Sequence, residues 1–158
     1  MIIGIDPGLS GGLACVDGAV LLGVSPMPTK PMPTNTKKQM VDPDGVARIL
    51  KDWFMLWDVN DGCIEQVSAR PNQGVTSMFN FGTSYGIILG AFASADMNLS
   101  SVTAHRWKKD LGLTSNKDES RQMALKLWPD FDDYFKRKKD DGIAEAALIG
   151  LWYDSHVN

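Results

Sequence analysis

Hydrophobic and polar residues are arranged along this chain in a pattern that predicts strands first and helices later. Short apolar runs at 1–5, 13–16 and 19–24 are separated by turns, and Asp17-Gly18 is a two-residue hairpin signal. We therefore expect three consecutive antiparallel strands at the amino terminus.

A break in the apolar pattern follows these strands. Residues 25–43 contain five prolines and several small polar residues, which is typical of a long surface loop. Asp42 is then a candidate N-cap with Pro43 in the first turn, and apolar residues recur at helical spacing after them. This spacing predicts an amphipathic helix over 43–57.

The rest of the chain predicts strands that alternate with helices. Strands are expected at 63–67 and 99–102, and helices at 77–97, 104–111, 117–127 and 141–153. The order indicates an α/β or α+β layered sandwich around a mixed sheet. No linker or repeat divides the chain, so we expect one domain spanning residues 1–158.

Composition narrows the class of protein. The 158 residues are 44% hydrophobic and 22% charged, which excludes a disordered tail. No apolar run approaches the roughly 18 residues of a membrane span, and Asp6 interrupts the first run. Cys15 and Cys63 are too few for a disulfide framework, so a reduced cytoplasmic protein without a membrane partner is expected.

The distribution of charge says more than the net charge of −3. Residues 103–139 hold ten basic and six acidic side chains, whereas 140–158 hold four acids and no lysine or arginine. Acids beside a basic DNA-binding surface repel phosphate unless a cation lies between them, which favours a metal-dependent site. A pair of ordinary solvated helices is the alternative interpretation of the charges.

Two carboxylates lie where strands are predicted. Asp6 ends the first strand before a glycine-rich turn, which suits a magnesium site or simply a turn. Glu65 lies inside the apolar run 63–67, where burying a charge is costly unless it is paired or binds a metal. The alternative is an edge strand that exposes Glu65 to water.

A second group of acids begins the last predicted helix. Asp141 and Glu145 are four residues apart and share one helix face, which could close a site opened by Asp6 and Glu65. Asp140 and Asp141 could instead cap the helix. Four carboxylates from separate elements match what two divalent ions need for phosphodiester hydrolysis.

The sequence also offers candidate DNA and dimer contacts. A basic surface is expected from Arg106, Lys108, Lys109, Lys117 and Arg121. Trp107 lies among these residues, either as a core anchor or as a base-stacking contact. Glycines at 82, 86 and 90 form a small-residue stripe that packs either on the protein's own sheet or on a second copy.

The ordered set of motifs resembles the RuvC-type Holliday junction resolvases of the RNase H-like superfamily. Its middle motifs resemble the bacteriophage branch, and its closing acidic helix resembles the bacteriophage and organellar branches. The motifs are Ile3-Gly4-Ile5-Asp6-Pro7-Gly8, Ile64-Glu65-Gln66, the stretch from Arg70 to Gly82, Trp107-Lys108-Lys109, Lys117-Asp118 and the stretch from Asp140 to Ala146. Together they extend over essentially the whole chain.

The resemblance implies an RNase H-like fold with a five-stranded mixed sheet and an endonuclease that cuts four-way DNA junctions. It implies a homodimer that uses two Mg²⁺ ions per active site, with Mn²⁺ as a substitute. The implied roles are metal binding and catalysis by Asp6, Glu65, Asp141 and Glu145, DNA binding by Arg70, Arg106, Trp107, Lys108, Lys109 and Lys117, and dimer contacts by Phe79, Gly82, Gly86 and Gly90. Whether Asp140 or Asp141 is the ligand is left open, since bacterial members have two aspartates three residues apart.

Three alternative functions share parts of this pattern. An ATPase of the actin and Hsp70 type opens with similar strands but needs a second lobe, for which 158 residues leave no room. An RNase H-like nuclease acting on a flap, a Y-fork or an RNA–DNA hybrid would share the same metal chemistry. A junction-binding protein without catalysis is disfavoured by the four acids, which would only weaken DNA binding.

Overall fold

The computed structural model describes residues 1–68 and 74–156, and it contains the predicted strands and helices together with two further strands and one short helix. The strands are β1 (Ile2–Asp6), β2 (Gly12–Asp17), β3 (Val20–Pro26), β4 (Thr29–Met32), β5 (Asn35–Val41), β6 (Asp61–Gln66) and β7 (Asn98–Thr103). The helices are α1 (Pro43–Trp57), α2 (Val75–Ser94), α3 (Ala104–Asp110), α4 (Lys117–Leu127), α5 (Asp132–Phe135) and α6 (Asp141–His156). Short 3₁₀ turns at Pro129–Phe131 and Lys138–Asp140 join the last three helices.

Five of the strands form one mixed sheet in the order β3-β2-β1-β6-β7. The first three strands pair antiparallel, and β6 and β7 run parallel to β1. The predicted five-stranded mixed sheet flanked by helices is therefore confirmed. β1 and β6 are interior strands, which places their carboxyl ends side by side.

The two faces of the sheet are covered by different helices, as the alternation along β1 requires. Ile2 belongs to the buried cluster under α6, whereas Ile3 and Ile5 belong to the cluster under α1 and α2. Gly4 faces α6 so closely that a Cβ there would collide with Ala146 and lie 2.9 Å from the Cα of Gly150. α6 is thus seated directly on the central strand.

The helix boundaries have local causes. α1 begins with Pro43 in its first turn and buries Val46, Leu50 and Trp53. It ends at Asp58, which adopts a left-handed conformation with φ 53° and donates its N–H to the Phe54 carbonyl. The predicted helix over 43–57 is confirmed.

The predicted surface loop at 25–43 is wrong in part. Strands β4 and β5 pair there as a separate two-stranded hairpin, with Thr29 opposite Val41 and Pro31 opposite Gln39. Most of its side chains are exposed, so the hairpin carries no alternating apolar pattern by which it could be predicted.

The two cysteines and the helices bear on a disulfide and on a membrane span, respectively. Cys15 and Cys63 are buried free thiols, and burial raises the pKa of each to about 12. Across residues 1–68 and 74–156, no helix combines the length and the apolar character needed to cross a bilayer.

Candidate functional site

The parallel pairing of β1 and β6 brings the first two acids to one edge of the sheet. Ile5 pairs with Ile64, so Asp6 and Glu65 are the next residues of adjacent strands. Since β6 lies between β1 and β7, the alternative of an exposed edge strand at Glu65 is excluded. The strand pattern alone therefore brings these two carboxylates together.

Helix α6 brings the third acid to the same edge. Gly142, in the first turn of α6, packs against the turn after β1, and a Cβ there would lie 2.6 Å from Gly11 Cα and 2.8 Å from Asp6 Oδ2. One turn later, Glu145 is buried, with 4% of its surface exposed. Only a glycine at 142 allows α6 to approach the Asp6 turn this closely.

These three acids line a cleft of about 820 Å³. Its walls also include the turn after β1, the start of α3 and the segment between α3 and α4. The lining residues are Asp6, Gly8, Ser10, Glu65, Phe81, Ala104, His105, Lys108, Lys109, Leu113, Thr114, Ser115 and Glu145. In a cleft with three carboxylates and two lysines, the carboxylates can bind a cation, and the cation and the lysines can then bind a phosphate.

Each carboxylate is oriented by a different element. Asp6 Oδ1 accepts the N–H of Gly8 at 3.1 Å, within its own turn. Glu65 Oε2 accepts the indole N–H of Trp107 at 2.9 Å. Glu145 Oε1 accepts from the Lys108 ammonium at 2.6 Å and from the Ser120 hydroxyl at 3.2 Å.

Asp140 and Asp141 have different surroundings, which bears on the question of which is the ligand. Asp140 is 2% exposed, and its carboxylate accepts the backbone N–H of Arg137 at 3.0 Å and its guanidinium at 2.9 Å. Burial by itself would raise the pKa of Asp140, but the bonds from Arg137 outweigh it and lower that pKa. Asp140 therefore caps the 3₁₀ turn before α6, and Asp141, half-buried at the start of α6, stays the predicted ligand.

The carboxylates are the right chemical type to bind a divalent cation, but they are not already arranged around one position. Carboxylate oxygens are the ligands that Mg²⁺ and Mn²⁺ prefer. Among the described residues, no group of three or more His, Cys, Asp or Glu side chains is close enough to hold an ion. Three of the four predicted ligands line the cleft and Asp141 lies outside its lining, so their joint coordination stays a prediction.

The predicted DNA contacts divide into three groups. Lys108 and Lys109 line the cleft beside the acids. Arg106 lies outside the cleft lining, largely exposed, where it pairs with Asp110 at 3.2 Å. Lys117 begins α4, but its side chain is outside the described part of the structure, as is the whole of Arg70.

Trp107 requires a correction. Its ring is 0% exposed and belongs to the core cluster under α6, so it cannot stack on a DNA base as one interpretation of the sequence held. The core-anchor alternative is the correct one, since the α3 face that carries Trp107 is turned inward. Its indole N–H nevertheless reaches the site from within, through Glu65.

The glycine stripe of α2 is open. No described atom lies within 4 Å of a Cβ built at Gly82, Gly86 or Gly90, so the alternative that they pack on the protein's own sheet is wrong. Phe79 at the same end of the helix is 74% exposed. This face is available to a second copy, and the dimer stays a prediction.

Several cleft residues escaped the sequence analysis. His105, Thr114 and Ser115 line the cleft without any motif that marks them, and Ser120 of α4, buried behind the lining, donates to Glu145. A second cavity of about 380 Å³ adjoins the cleft between the β4–β5 hairpin and α2, and the two share Gly8, Ser10 and Phe81. Because residues of the β4–β5 hairpin line this cavity, it could not be predicted without the hairpin.

The sheet order, the helices on both faces and the acidic edge define an RNase H-like fold of the RuvC type. The chain superposes on Thermus thermophilus RuvC in complex with a Holliday junction substrate with a TM-score of 0.68 and 18% identity, over 99% of this chain and 94% of that one. A second Thermus thermophilus RuvC structure gives a TM-score of 0.59 with 17% identity, over 98% and 95% of the two chains. At this level of identity the likeness establishes the fold.

Sequence comparison gives a curated relative that matches part of the chain. The chain is 32% identical over 93 residues to the chloroplastic Holliday junction resolvase MOC1 of Chlamydomonas reinhardtii. The match includes 58% of this chain but only 10% of that protein, so the chain spans about a tenth of the length of the curated relative. No family model matches the chain.

Proposed function

We propose that this chain is a structure-specific DNA endonuclease that resolves four-way junctions. The observation that carries the proposal is the cleft in which Asp6, Glu65 and Glu145 face Lys108 and Lys109 at the carboxyl ends of β1 and β6. The fold shared with RuvC and the sequence match to a Holliday junction resolvase support the same substrate class. Residues 1–158 act in this proposal as one nuclease domain.

The cleft chemistry supports metal-dependent hydrolysis. Asp6, Glu65, Asp141 and Glu145 would hold two divalent ions, Mg²⁺ or Mn²⁺. Such ions, when bound, activate a water for attack on phosphorus and stabilise the leaving 3′-oxygen. One oxygen of Glu65 accepts from Trp107 and one oxygen of Glu145 accepts from Lys108, and the carboxylates would have to converge to share an ion.

The lysines have a separate task. Lys108 and Lys109 bind the DNA backbone and neutralise charge on the phosphate in the cleft. Lys108 is only 14% exposed in its side chain and is held against Glu145, so its ammonium has a defined position at the back of the cleft. Arg106 is placed outside, where it can contact a more distant phosphate.

A homodimer completes the proposal, since two active sites are needed to cut two strands of one junction. The open face of α2, with Phe79 exposed beside Gly82, Gly86 and Gly90, is the proposed contact. A C₂ axis beside this face would let the same residues of both copies meet.

The test uses Glu65→Gln, which keeps the side-chain volume and removes the charge. We expect the variant to bind a four-way junction as tightly as the wild type and to lose at least about 100-fold in cleavage rate, as for loss of a principal electrostatic group. Binding and cleavage are measured with Mg²⁺ on a junction, a duplex, a Y-fork and an RNA–DNA hybrid of matched sequence.

The substrates separate the possible outcomes. Cleavage restricted to the junction supports the proposal. Cleavage of the Y-fork or the hybrid in preference to the junction would contradict the substrate while keeping the site. Near wild-type cleavage by Glu65→Gln would contradict the assignment of the site itself.

A further inference from the structure

Trp107 is joined to one of the cleft carboxylates although its ring is fully buried. Its indole N–H donates to Glu65 Oε2 at 2.9 Å, across 42 residues of sequence. The ring itself is 0% exposed and packs in the core cluster under α6. Because the packed ring cannot reorient, its N–H points in one fixed direction, toward the carboxylate of the half-buried Glu65.

The Trp107 ring is also contacted by Lys108, a residue that lines the cleft. The Lys108 ammonium lies 5.1 Å from the centroid of the Trp107 ring, in a cation–π contact, and bonds Glu145 at 2.6 Å. Consecutive residues of α3 therefore reach one carboxylate each, Trp107 that of Glu65 on β6 and Lys108 that of Glu145 on α6. A shift of α3 would change the orientation of both acids together.

This arrangement has a physical consequence for Glu65. A carboxylate at the end of a glutamate side chain rotates freely about its last bond unless a partner holds one oxygen. The indole N–H holds Oε2, which restricts that rotation without adding a charge that would compete with a cation. Hydrogen-bonded partners of metal ligands commonly set ligand orientation and with it metal affinity.

We propose that Trp107 is a positioning residue for Glu65, whose indole N–H orients the carboxylate for a divalent cation. The proposal rests on the metal-dependent site described under Proposed function and extends it to a residue that neither touches DNA nor binds the ion. It assigns a chemical role to a tryptophan that otherwise counts as core packing.

The test is Trp107→Phe, which keeps an aromatic ring in the core and removes the N–H. Mn²⁺ binding to the full chain is measured by titration calorimetry, and the Mn²⁺ concentration for half-maximal junction cleavage is measured separately. We expect about a tenfold weaker Mn²⁺ affinity and a similar rise in the half-maximal concentration.

Trp128→Phe is the matched control. Trp128 is also buried, at 6% exposure, and its indole N–H donates at 2.9 Å to the Ala19 carbonyl rather than to a cleft residue. Both substitutions remove one indole hydrogen bond from a buried ring, so both lower the unfolding midpoint measured in EDTA. Only Trp107→Phe is expected to change Mn²⁺ affinity.

A double-mutant cycle keeps the proposal falsifiable even if Trp107→Phe also loosens the core. In the Glu65→Gln background, where no carboxylate is left to orient, adding Trp107→Phe is expected to leave the residual Mn²⁺ affinity unchanged. An equal loss of affinity in both backgrounds would show a merely structural role and overturn the proposal.

The remaining outcomes separate this proposal from the function on which it rests. Equal Mn²⁺ affinity of Trp107→Phe, Trp128→Phe and the wild type would overturn the positioning role and leave the nuclease assignment intact. A wild type that binds Mn²⁺ but cuts no junction would contradict the proposed function, and the affinity loss in Trp107→Phe would still support the positioning role.

Discussion

Helices α6 and α2 pack on opposite faces of one sheet and both carry glycines, but those glycines have opposite surroundings. On α6, Gly142 packs against the Asp6 turn. A Cβ built at Gly150 would lie 3.3 Å from the backbone nitrogen of Gly4. On α2, a Cβ at Gly86 would meet no described atom within 4 Å. In α6 the missing side chain lets the helix approach the strand that carries Asp6, whereas in α2 it leaves a face open.

The two helices also begin differently. The turn before α6 is stabilised by the hydrogen bonds between Asp140 and Arg137, whereas Gly74, the N-cap of α2, makes no side-chain cap hydrogen bond. The fixed start of α6 determines where Glu145 lies relative to Asp6. Helix α6 thus contributes a carboxylate to the cleft, whereas α2 keeps an open face at which a second copy is proposed to bind.

The largest effect is expected from Gly142→Ala. The added methyl group would collide with the Ser10 carbonyl and with Gly11, forcing α6 away from the Asp6 turn. We expect a loss of about 3 kcal/mol in the free energy of unfolding, from urea denaturation, and a loss of junction cleavage. An unchanged stability would contradict the close approach of α6 and β1.

A smaller effect is expected from Asp140→Asn. Removing the charge weakens the bonds from Arg137, which should lower the free energy of unfolding at pH 7 by about 2 kcal/mol. Because the pKa of Asp140 is lowered in the folded state, its stabilisation is present above the unfolded-state pKa and is lost as pH falls through the folded-state pKa.

The pH dependence provides the check on that prediction. Urea denaturation of the wild type and Asp140→Asn should give stabilities that differ at pH 7 and converge as the pH falls below about 4. A constant difference across this range would mean that Asp140 acts without its charge. Metal-dependent cleavage that survives in Asp140→Asn would agree with Asp141 as the ligand.

The smallest effect, with the opposite sign, is expected from Gly86→Ala. Alanine is the better helix former and meets no obstacle on the open face, so the monomer should gain about 0.5–1 kcal/mol. If the stripe forms the dimer, the same methyl group should weaken association, which light scattering at several concentrations would detect. A destabilised monomer would show that the face is covered within the chain.

Most strands and helices and two of the acids were predictable because their signals are local. Asp6 follows an apolar run and precedes a glycine turn, and Glu65 interrupts a buried strand, so strand order alone places them at one edge. The β4–β5 hairpin was missed because exposed strands carry no apolar alternation. Local patterns thus predicted the strands and their acids, whereas the five-stranded sheet was implied by the family resemblance.

The remaining features of the site depend on long-range contacts. The bond from Trp107 to Glu65 joins residues 42 positions apart, and that from Ser120 to Glu145 joins residues 25 apart. No spacing rule could separate Asp140 from Asp141, since the difference lies in where the Arg137 side chain points. These contacts are set by how α3, α4 and α6 pack.

The most direct test of the central claim is to map the cuts made by the wild-type protein on a labelled four-way junction in the presence of Mg²⁺. We expect paired nicks at symmetric positions on two opposing strands, abolished by EDTA and by Glu65→Gln. Cuts of a linear duplex at the same rate, or nicks in the junction that persist in EDTA, would contradict the account of this cleft as a metal-dependent junction-resolving site.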